Sequence, residues 1–173
     1  IFLTNFHEDH MGGLINLKKN FKVGQVFGPH YDKNNNIHPL LAGDNLKINN
    51  YVFNIITSNN NEENENNNSL VIKVRLGEYD FLFTGDSEKE VELELIKKIE
   101  KNSVDVLQVG HHGSKTSSSF EFIKHINPKY AVFSFGKNNK FGHPHPSVVK
   151  VFKNNKTEVL STSEFGCIEY KFI

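Results

Sequence analysis

Ile1-Phe2-Leu3-Thr4-Asn5-Phe6-His7-Glu8-Asp9-His10-Met11-Gly12-Gly13 is the stretch from which the fold can be inferred. Its apolar start, residues 1–4, predicts a buried strand. Two imidazoles and two carboxylates follow at positions 7–10, and such groups are costly to bury unless they are paired or bound to metal. Imidazole nitrogen together with carboxylate oxygen suits zinc or manganese. The stretch therefore predicts a metal-binding loop at a strand end, with a solvated polar turn as the alternative.

The composition limits the kinds of site that this chain can build. Its 173 residues fit one domain, residues 1–173, and its formal net charge of zero gives no electrostatic case for nucleic acid. The single cysteine, Cys167, excludes an internal disulfide and a cysteine-rich zinc site. No apolar run is long enough to cross a bilayer. Histidines and carboxylates are therefore the candidate ligands.

The order of apolar segments predicts a mixed α+β fold. Two hairpins come first, residues 46–56 and 70–83, with turns at Asn49-Asn50 and Gly77-Glu78. Strands then alternate with helices, which must cover the sheet. These later strands are predicted at residues 104–109, 130–135, 157–160 and 167–173.

Two further local signals lie between these elements. Asn59–Asn68 is a run of Asn and Glu with little apolar surface to bury, and it predicts a mobile loop. Ser87 and Glu90 have the spacing of a capping box, which predicts a helix start at that point.

Polar clusters directly follow three of the predicted strands, and the first of them is the cluster at positions 7–10 after residues 1–4. Asp86 follows the strand ending at Phe83, and His111 and His112 follow the strand ending at Val109. If these strands are parallel neighbours, the clusters meet at one sheet edge and form a site. Alternatively, Asp86 is only a favourable charge near a helix start, and the histidines belong to an ordinary loop. The predicted metal ligands are His7, Asp9, His10, Asp86, His111 and His112.

This ligand set is large enough for two metal ions about 3.5–4 Å apart. Such ions lower the pKa of a bound water towards ~7, so hydroxide becomes the nucleophile and no protein nucleophile is needed. Asp9, His143 and His145 are the predicted catalytic residues, although the two proline-flanked histidines can also be surface residues. Ser114 and Lys115 are predicted to hold phosphate at a helix start, and a helix cap is the alternative.

These motifs together resemble the metallo-β-lactamase superfamily. Asn5-Phe6-His7-Glu8-Asp9-His10 is similar to its H-x-H-x-D-H signature, and Asp86 matches its later aspartate. Residues 67–71, 83–90, 105–117 and 141–146 resemble the C-terminal hydrolase domain of the bacterial DNA-uptake channel of the ComEC type.

The resemblance implies an αββα sandwich with one or two divalent ions, zinc or manganese. It also implies phosphodiesterase or nuclease action on DNA during competence. In that family the domain is part of a membrane channel protein, and we expect a soluble domain that faces outside the cytoplasm. The superfamily's first strands have no counterpart here, so we expect a sandwich lacking them, with exposed apolar edges.

Two departures concern one metal position of the superfamily. Asn5 stands where the first histidine of the signature is expected, and a histidine expected before residues 67–69 is absent. His7 is the clearest ligand left at that position, so we expect one of the two ions to bind weakly or not at all. Two alternatives to a nuclease follow: a DNA-binding module of the uptake channel with impaired catalysis, and a small-molecule metallohydrolase of the same superfamily.

Overall fold

The computed structural model describes residues 1–57 and 64–171. The strands are β1 Val26–Gly28, β2 Ile37–Pro39, β3 Asn45–Ile48, β4 Tyr51–Thr57, β5 Val71–Leu76, β6 Tyr79–Phe83, β7 Val106–Gln108, β8 Tyr130–Phe133 and β9 Glu158–Ser161. The helices are α1 Glu8–Met11, α2 Leu14–Asn20, α3 Lys89–Lys98, α4 Phe120–Ile126, α5 Pro146–Asn154 and α6 Thr162–Phe165. Two 3₁₀ helices cover Glu65–Asn68 and Gly110–Gly113.

One seven-stranded sheet runs in the order β3-β4-β5-β6-β7-β8-β9. The pairs from β3 to β6 are antiparallel, which confirms the two predicted hairpins. The pairs from β6 to β9 are parallel, because a helix lies in each connection and returns the chain to the same end of the sheet. Strands β6 and β7, which lie inside the sheet, therefore finish side by side at the same end of it.

Helices α3, α4 and α5 cover one face of this sheet. Leu82 and Leu107 on the strands and Phe152 on α5 are almost completely buried in the same apolar cluster. On the other face, Phe2 and Phe27 pack against a cluster that includes residues of β4 and β5. Strand β1 pairs in parallel with β2 to form a separate two-stranded sheet. The predicted α+β fold class is confirmed.

The chain ends differ from the prediction. Residues 1–4 form only one bridge to β1, at Phe2–Phe27, instead of a full strand. Residues 167–171 form no strand, and residues 172–173 lie outside the described range. Tyr170 instead lays its ring edge-on to Phe81 at a centroid distance of 5.2 Å. Its side chain therefore covers the face of the sheet, and its backbone does not extend the edge.

The described part of the Asn-rich stretch includes a short helix. Residues 59–63 lie outside the described residues, but Glu65–Asn68 forms a 3₁₀ helix, so the predicted mobile loop is wrong for this part. The predicted capping box is also wrong, because Glu88 precedes α3 as its N-cap. The side chain of Asn67 accepts a hydrogen bond from the Glu88 amide at 3.0 Å and so satisfies this helix start from outside.

Within residues 1–57 and 64–171, no helix has the length and apolar character of a bilayer-spanning segment. Some large apolar side chains are nevertheless exposed, including Ile1 and Phe21 at 39% and 67% of their surface.

Glu92 ties α3 to the segment that follows the second 3₁₀ helix. Its carboxylate is 3% exposed and accepts hydrogen bonds from the backbone amides of Ser118 and of Ser119, the latter at 2.8 Å. Burial raises the pKa of Glu92, and the two amides oppose that rise. One buried and one part-buried amide donor thus depend on one side chain.

We expect Glu92→Ala to lower the free energy of unfolding by about 2–3 kcal/mol, because it leaves these amides without an acceptor. Urea unfolding followed by circular dichroism measures the change. The control is Glu94→Ala on the same helix, whose half-exposed carboxylate pairs with Lys98 and should contribute less than ~0.5 kcal/mol. Equal effects of the two substitutions would contradict the assignment.

Candidate metal centre

Four side chains converge at the end of the sheet where the parallel strands β6 and β7 finish. The candidate ligand atoms of Asp9, His10, Asp86 and His112 all lie within 4.8 Å of one another. The Nε2 atom of His10 is 3.2 Å from an Asp86 oxygen, and the Nε2 atom of His112 is 3.1 Å from an Asp9 oxygen. Two imidazoles and two carboxylates around one point are a ligand set for a divalent metal.

The other ring nitrogen of each histidine is held by a second group. His112 Nδ1 lies 2.7 Å from the carbonyl oxygen of Ser134. Because a carbonyl can only accept, this nitrogen carries the proton, and the lone pair of the neutral ring is on Nε2. His10 Nδ1 lies 3.0 Å from the Thr4 hydroxyl, and its Nε2 faces Asp86. Outer partners of this kind orient metal-binding histidines in proteins.

Two atoms of the cluster provide a direct test of whether it fits a metal. Among the described residues, His10 Nε2 and Asp86 Oδ1 are buried polar atoms without a hydrogen-bond partner. Such atoms are rare and costly in folded proteins. A divalent ion at the shared point would coordinate both atoms, so the residues present fit the group that the fold implies.

The electrostatics of the cluster also favour a cation. Burial alone would lower the pKa of His10, but its contact with Asp86 and the charges of Asp86 and Asp9 raise it. Burial alone would raise the pKa of Asp86, but its contact with His10 and the charges of His10 and His112 lower it. Asp86 therefore stays ionised while only 2% exposed, and positive charge beside it is stabilised.

The Gly110–Gly113 segment places His112 by means of an unusual backbone. His111 and His112 have φ values of 47° and 55°, in the left-handed region that side chains seldom adopt. A Cβ atom at Gly113, where φ is +84°, would approach Phe133 to 2.8 Å. The flanking glycines allow this sharp turn, and the turn directs His112 rather than His111 to the cluster.

Asn5 supports the cluster through hydrogen bonds to the neighbouring loops and is not one of its four members. Its side chain is fully buried, accepts a hydrogen bond from the His7 amide at 3.1 Å and donates to the Ser69 hydroxyl at 3.5 Å. That hydroxyl in turn accepts a hydrogen bond from the Asp86 amide at 2.9 Å. Asn5 thus links the first loop to the loop that carries Asp86.

Two predicted ligands lie beside the cluster. His7 Nε2 is 3.2 Å from Glu65, whereas its Nδ1 is 3.9 Å from Asp86. His111 Nδ1 is 3.4 Å from Glu88. Sequence reasoning missed both glutamates as neighbours of the site. Glu65 lies in the low-complexity stretch, and no local pattern marked Glu88.

The predicted catalytic histidines occupy different places. The His143 ring lies 6.3 Å from the His112 ring at an interplanar angle of 28°, and burial lowers its pKa. His145 is exposed and caps α5, where its Nδ1 accepts a hydrogen bond from the Ser147 amide at 3.3 Å. His143 is therefore the closer of the two to the metal cluster.

The predicted phosphate ligands lie in the loop after the second 3₁₀ helix. Ser114 is buried, and its hydroxyl lies 3.1 Å from that of Thr116. Lys115 is exposed, and its carbonyl accepts a hydrogen bond from the Lys89 ammonium at 2.8 Å. The Lys115 side chain faces solvent, while the Ser114 hydroxyl is occupied within the loop. Their phosphate role stays a prediction.

Fold and cluster together define a metallo-β-lactamase-fold domain with a candidate divalent-metal centre. Its sequence is related to ComE operon protein 3 of Bacillus subtilis, with 35% identity over 188 aligned residues that cover 99% of this chain and 24% of that protein. Recombination protein 2 of Haemophilus influenzae is 31% identical, over 99% of this chain and 22% of that protein. The chain thus spans about a quarter of the length of these curated relatives.

Solved structures agree on the fold. YhfI of Bacillus subtilis, a metallo-β-lactamase fold protein, matches with a TM-score of 0.55 and 12% identity over 92% of this chain and 73% of that one. CmlA, a diiron β-hydroxylase from Streptomyces venezuelae, matches with a TM-score of 0.64 and 14% identity over 92% and 42% of the two chains. No protein-family model matches the chain. The resemblance inferred from the sequence is confirmed.

We expect Ser69→Ala to weaken the affinity for Mn²⁺ or Zn²⁺ by about 10- to 100-fold, because it removes the acceptor that holds the Asp86 amide. Isothermal titration calorimetry measures the affinity, and urea unfolding shows whether the variant is folded. The control is Ser163→Ala on α6, whose hydroxyl pairs with that of Ser161. Unchanged metal affinity in Ser69→Ala would show that this brace does not position the ligand.

Proposed function

We propose that this chain is a metal-dependent hydrolase domain that cuts phosphodiester bonds in DNA during competence. The convergence of Asp9, His10, Asp86 and His112 at one point is the observation that carries the proposal. The DNA setting is supported by the relative named recombination protein 2. The competence setting is supported by competence protein ComA of Neisseria gonorrhoeae, which is 36% identical over 59% of this chain and 15% of that protein. In this proposal the domain belongs to a longer membrane protein and acts outside the cytoplasm.

These four residues would hold a divalent ion, which would supply Lewis-acid chemistry for the phosphate and would lower the pKa of the attacking water. The chain's own groups divide the remaining work. The Asp9 carboxylate is 60% exposed and can accept a proton from the attacking water. Asp86 remains ionised in the dry interior. We assign proton transfer at the leaving oxygen to His143, which lines the groove beside the cluster, and attraction of the phosphate to Lys115.

A groove of about 310 Å³ opens beside the cluster and provides room for a substrate. Asp9, His112, Phe141 and His143 are among the residues that line it. A phosphodiester lying in this groove would pass both the metal ligands and the proposed proton donor. His145 does not line the groove, so we assign the leaving-group role to His143.

We further propose that one ion, rather than two, binds tightly. The side chain of Asn5 is committed to the His7 amide and to Ser69. His7 faces Glu65 with its Nε2 atom and Asp86 with its Nδ1 atom. The two carboxylates therefore lie at different nitrogens of the ring and do not form one coordination point together with His7. The cluster of Asp9, His10, Asp86 and His112 supplies all of its own ligand atoms, and in this proposal it forms the tight site.

The direct test is cleavage of single- and double-stranded DNA by the purified chain with Mn²⁺ or Zn²⁺. We expect cleavage that EDTA abolishes and that His112→Ala or Asp86→Asn slows by ~100-fold or more, because the first removes a ligand and the second removes the negative charge of another. The control His38→Ala alters an exposed histidine on β2 and should leave the rate unchanged.

Absence of cleavage while metal occupancy is verified by mass spectrometry would refute the nuclease. Binding of DNA under those conditions would then favour a module that only guides DNA. Turnover confined to small esters or thioesters would favour a small-molecule metallohydrolase.

A further inference from the structure

Phe141 is unusually exposed for an aromatic residue beside a candidate active site. Its side chain is 70% exposed, the largest value among the big apolar residues of ranges 1–57 and 64–171. A single exposed apolar residue needs no explanation by itself. Its surroundings, however, connect it to the metal cluster.

A row of rings runs from the cluster to this surface position. The His112 and His143 rings are 6.3 Å apart, and the His143 and Phe141 rings are 5.9 Å apart with an interplanar angle of 17°. Phe141 and His143 also line the same groove as Asp9 and His112. Phe141 thus lies two ring contacts away from a candidate metal ligand.

The segment that carries Phe141 is cationic. Residues 134–146 contain two lysines and two histidines but no acidic residue, although the whole chain is neutral. The Lys140 ammonium lies 5.2 Å from the Phe141 ring centroid. An exposed ring with a cation beside it matches a ligand that has flat bases and an anionic backbone.

Hydrogen bonds hold the loop on both sides of Phe141. The side-chain amide of Asn139 donates hydrogen bonds to the carbonyls of Gly136 and His143, and the His143 backbone amide donates to the Asn139 side chain at 2.9 Å. The loop therefore has less conformational freedom to lose when a flat ligand stacks on Phe141. Such preorganisation improves affinity without any new contact.

We propose that Phe141 is a stacking platform for an unpaired base of single-stranded DNA, with Lys140 binding the adjoining phosphate. The inference rests on the proposed function, since it places the base next to the phosphodiester at the metal centre. Bases of a duplex are already stacked on each other, so this platform favours single strands. A protein partner on the same ring would not depend on bases, and the test below separates the two.

The experiment measures binding of a fluorescent single-stranded oligonucleotide by anisotropy, in EDTA so that no cleavage occurs. We expect Phe141→Ala to weaken binding by about 10-fold, since one base–aromatic stack contributes about 1–3 kcal/mol. Phe141→Trp should keep the affinity, and Phe141→Leu, which is apolar but not aromatic, should lose it. The matched control is Phe165→Ala, which removes another exposed ring, on α6.

A second strand of the same length with abasic sites provides the decisive comparison. We expect it to bind the unaltered chain and Phe141→Ala equally weakly, because neither can stack a missing base. Equal weakening of the base-bearing and abasic strands by Phe141→Ala would overturn the platform, and so would unchanged binding of both.

Cleavage with Mn²⁺ or Zn²⁺ is measured separately, so the two proposals can fail independently. DNA cleavage without base-dependent binding at Phe141 refutes the platform and leaves the nuclease. Base-dependent binding without cleavage supports the platform and refutes the nuclease.

Discussion

The burial of one carboxylate, Asp86, is the constraint on which the rest of the structure depends. This side chain is 2% exposed, and its pKa is held down by His10 and by neighbouring histidine charges despite the burial. An ionised carboxylate out of water is strongly destabilising unless positive charge and hydrogen-bond donors compensate it. Two imidazoles face it, and one of its oxygens still has no hydrogen-bond partner. Such an arrangement costs stability, and a divalent ion bound at this point would offset that cost.

The fold brings the compensating groups to Asp86 from distant parts of the sequence. Parallel pairing of β6 with β7 places the Asp86 turn beside the turn that carries His112. The first loop reaches the same point through main-chain contacts, since the Leu70 amide donates to the Thr4 carbonyl at 2.7 Å. Helices α3, α4 and α5 pack on one face of the sheet and support the strands that end at this point. The candidate metal centre thus lies on loops at the strand ends and is supported by a packed sheet.

Much of this arrangement was predictable because it follows from local patterns. Turn residues at Asn49-Asn50 and Gly77-Glu78 mark hairpins, and polar residues directly after apolar strands mark the site edge. Non-local effects were not predictable. The distinction between His111 and His112 depends on their left-handed backbone and on the carbonyl of Ser134, which is 22 residues further along the chain. The brace made by Asn5 likewise depends on Ser69, a residue 64 positions away.

The central claim is that Asp9, His10, Asp86 and His112 bind one divalent ion tightly. A crystal structure of the chain grown with Mn²⁺ or Zn²⁺, with anomalous data collected at the metal edge, tests it most directly. The account predicts one strong anomalous peak within bonding distance of these four side chains, with His112 bound through Nε2. A strong peak held by His7 or His111 instead, or a fully occupied pair of ions, would contradict it.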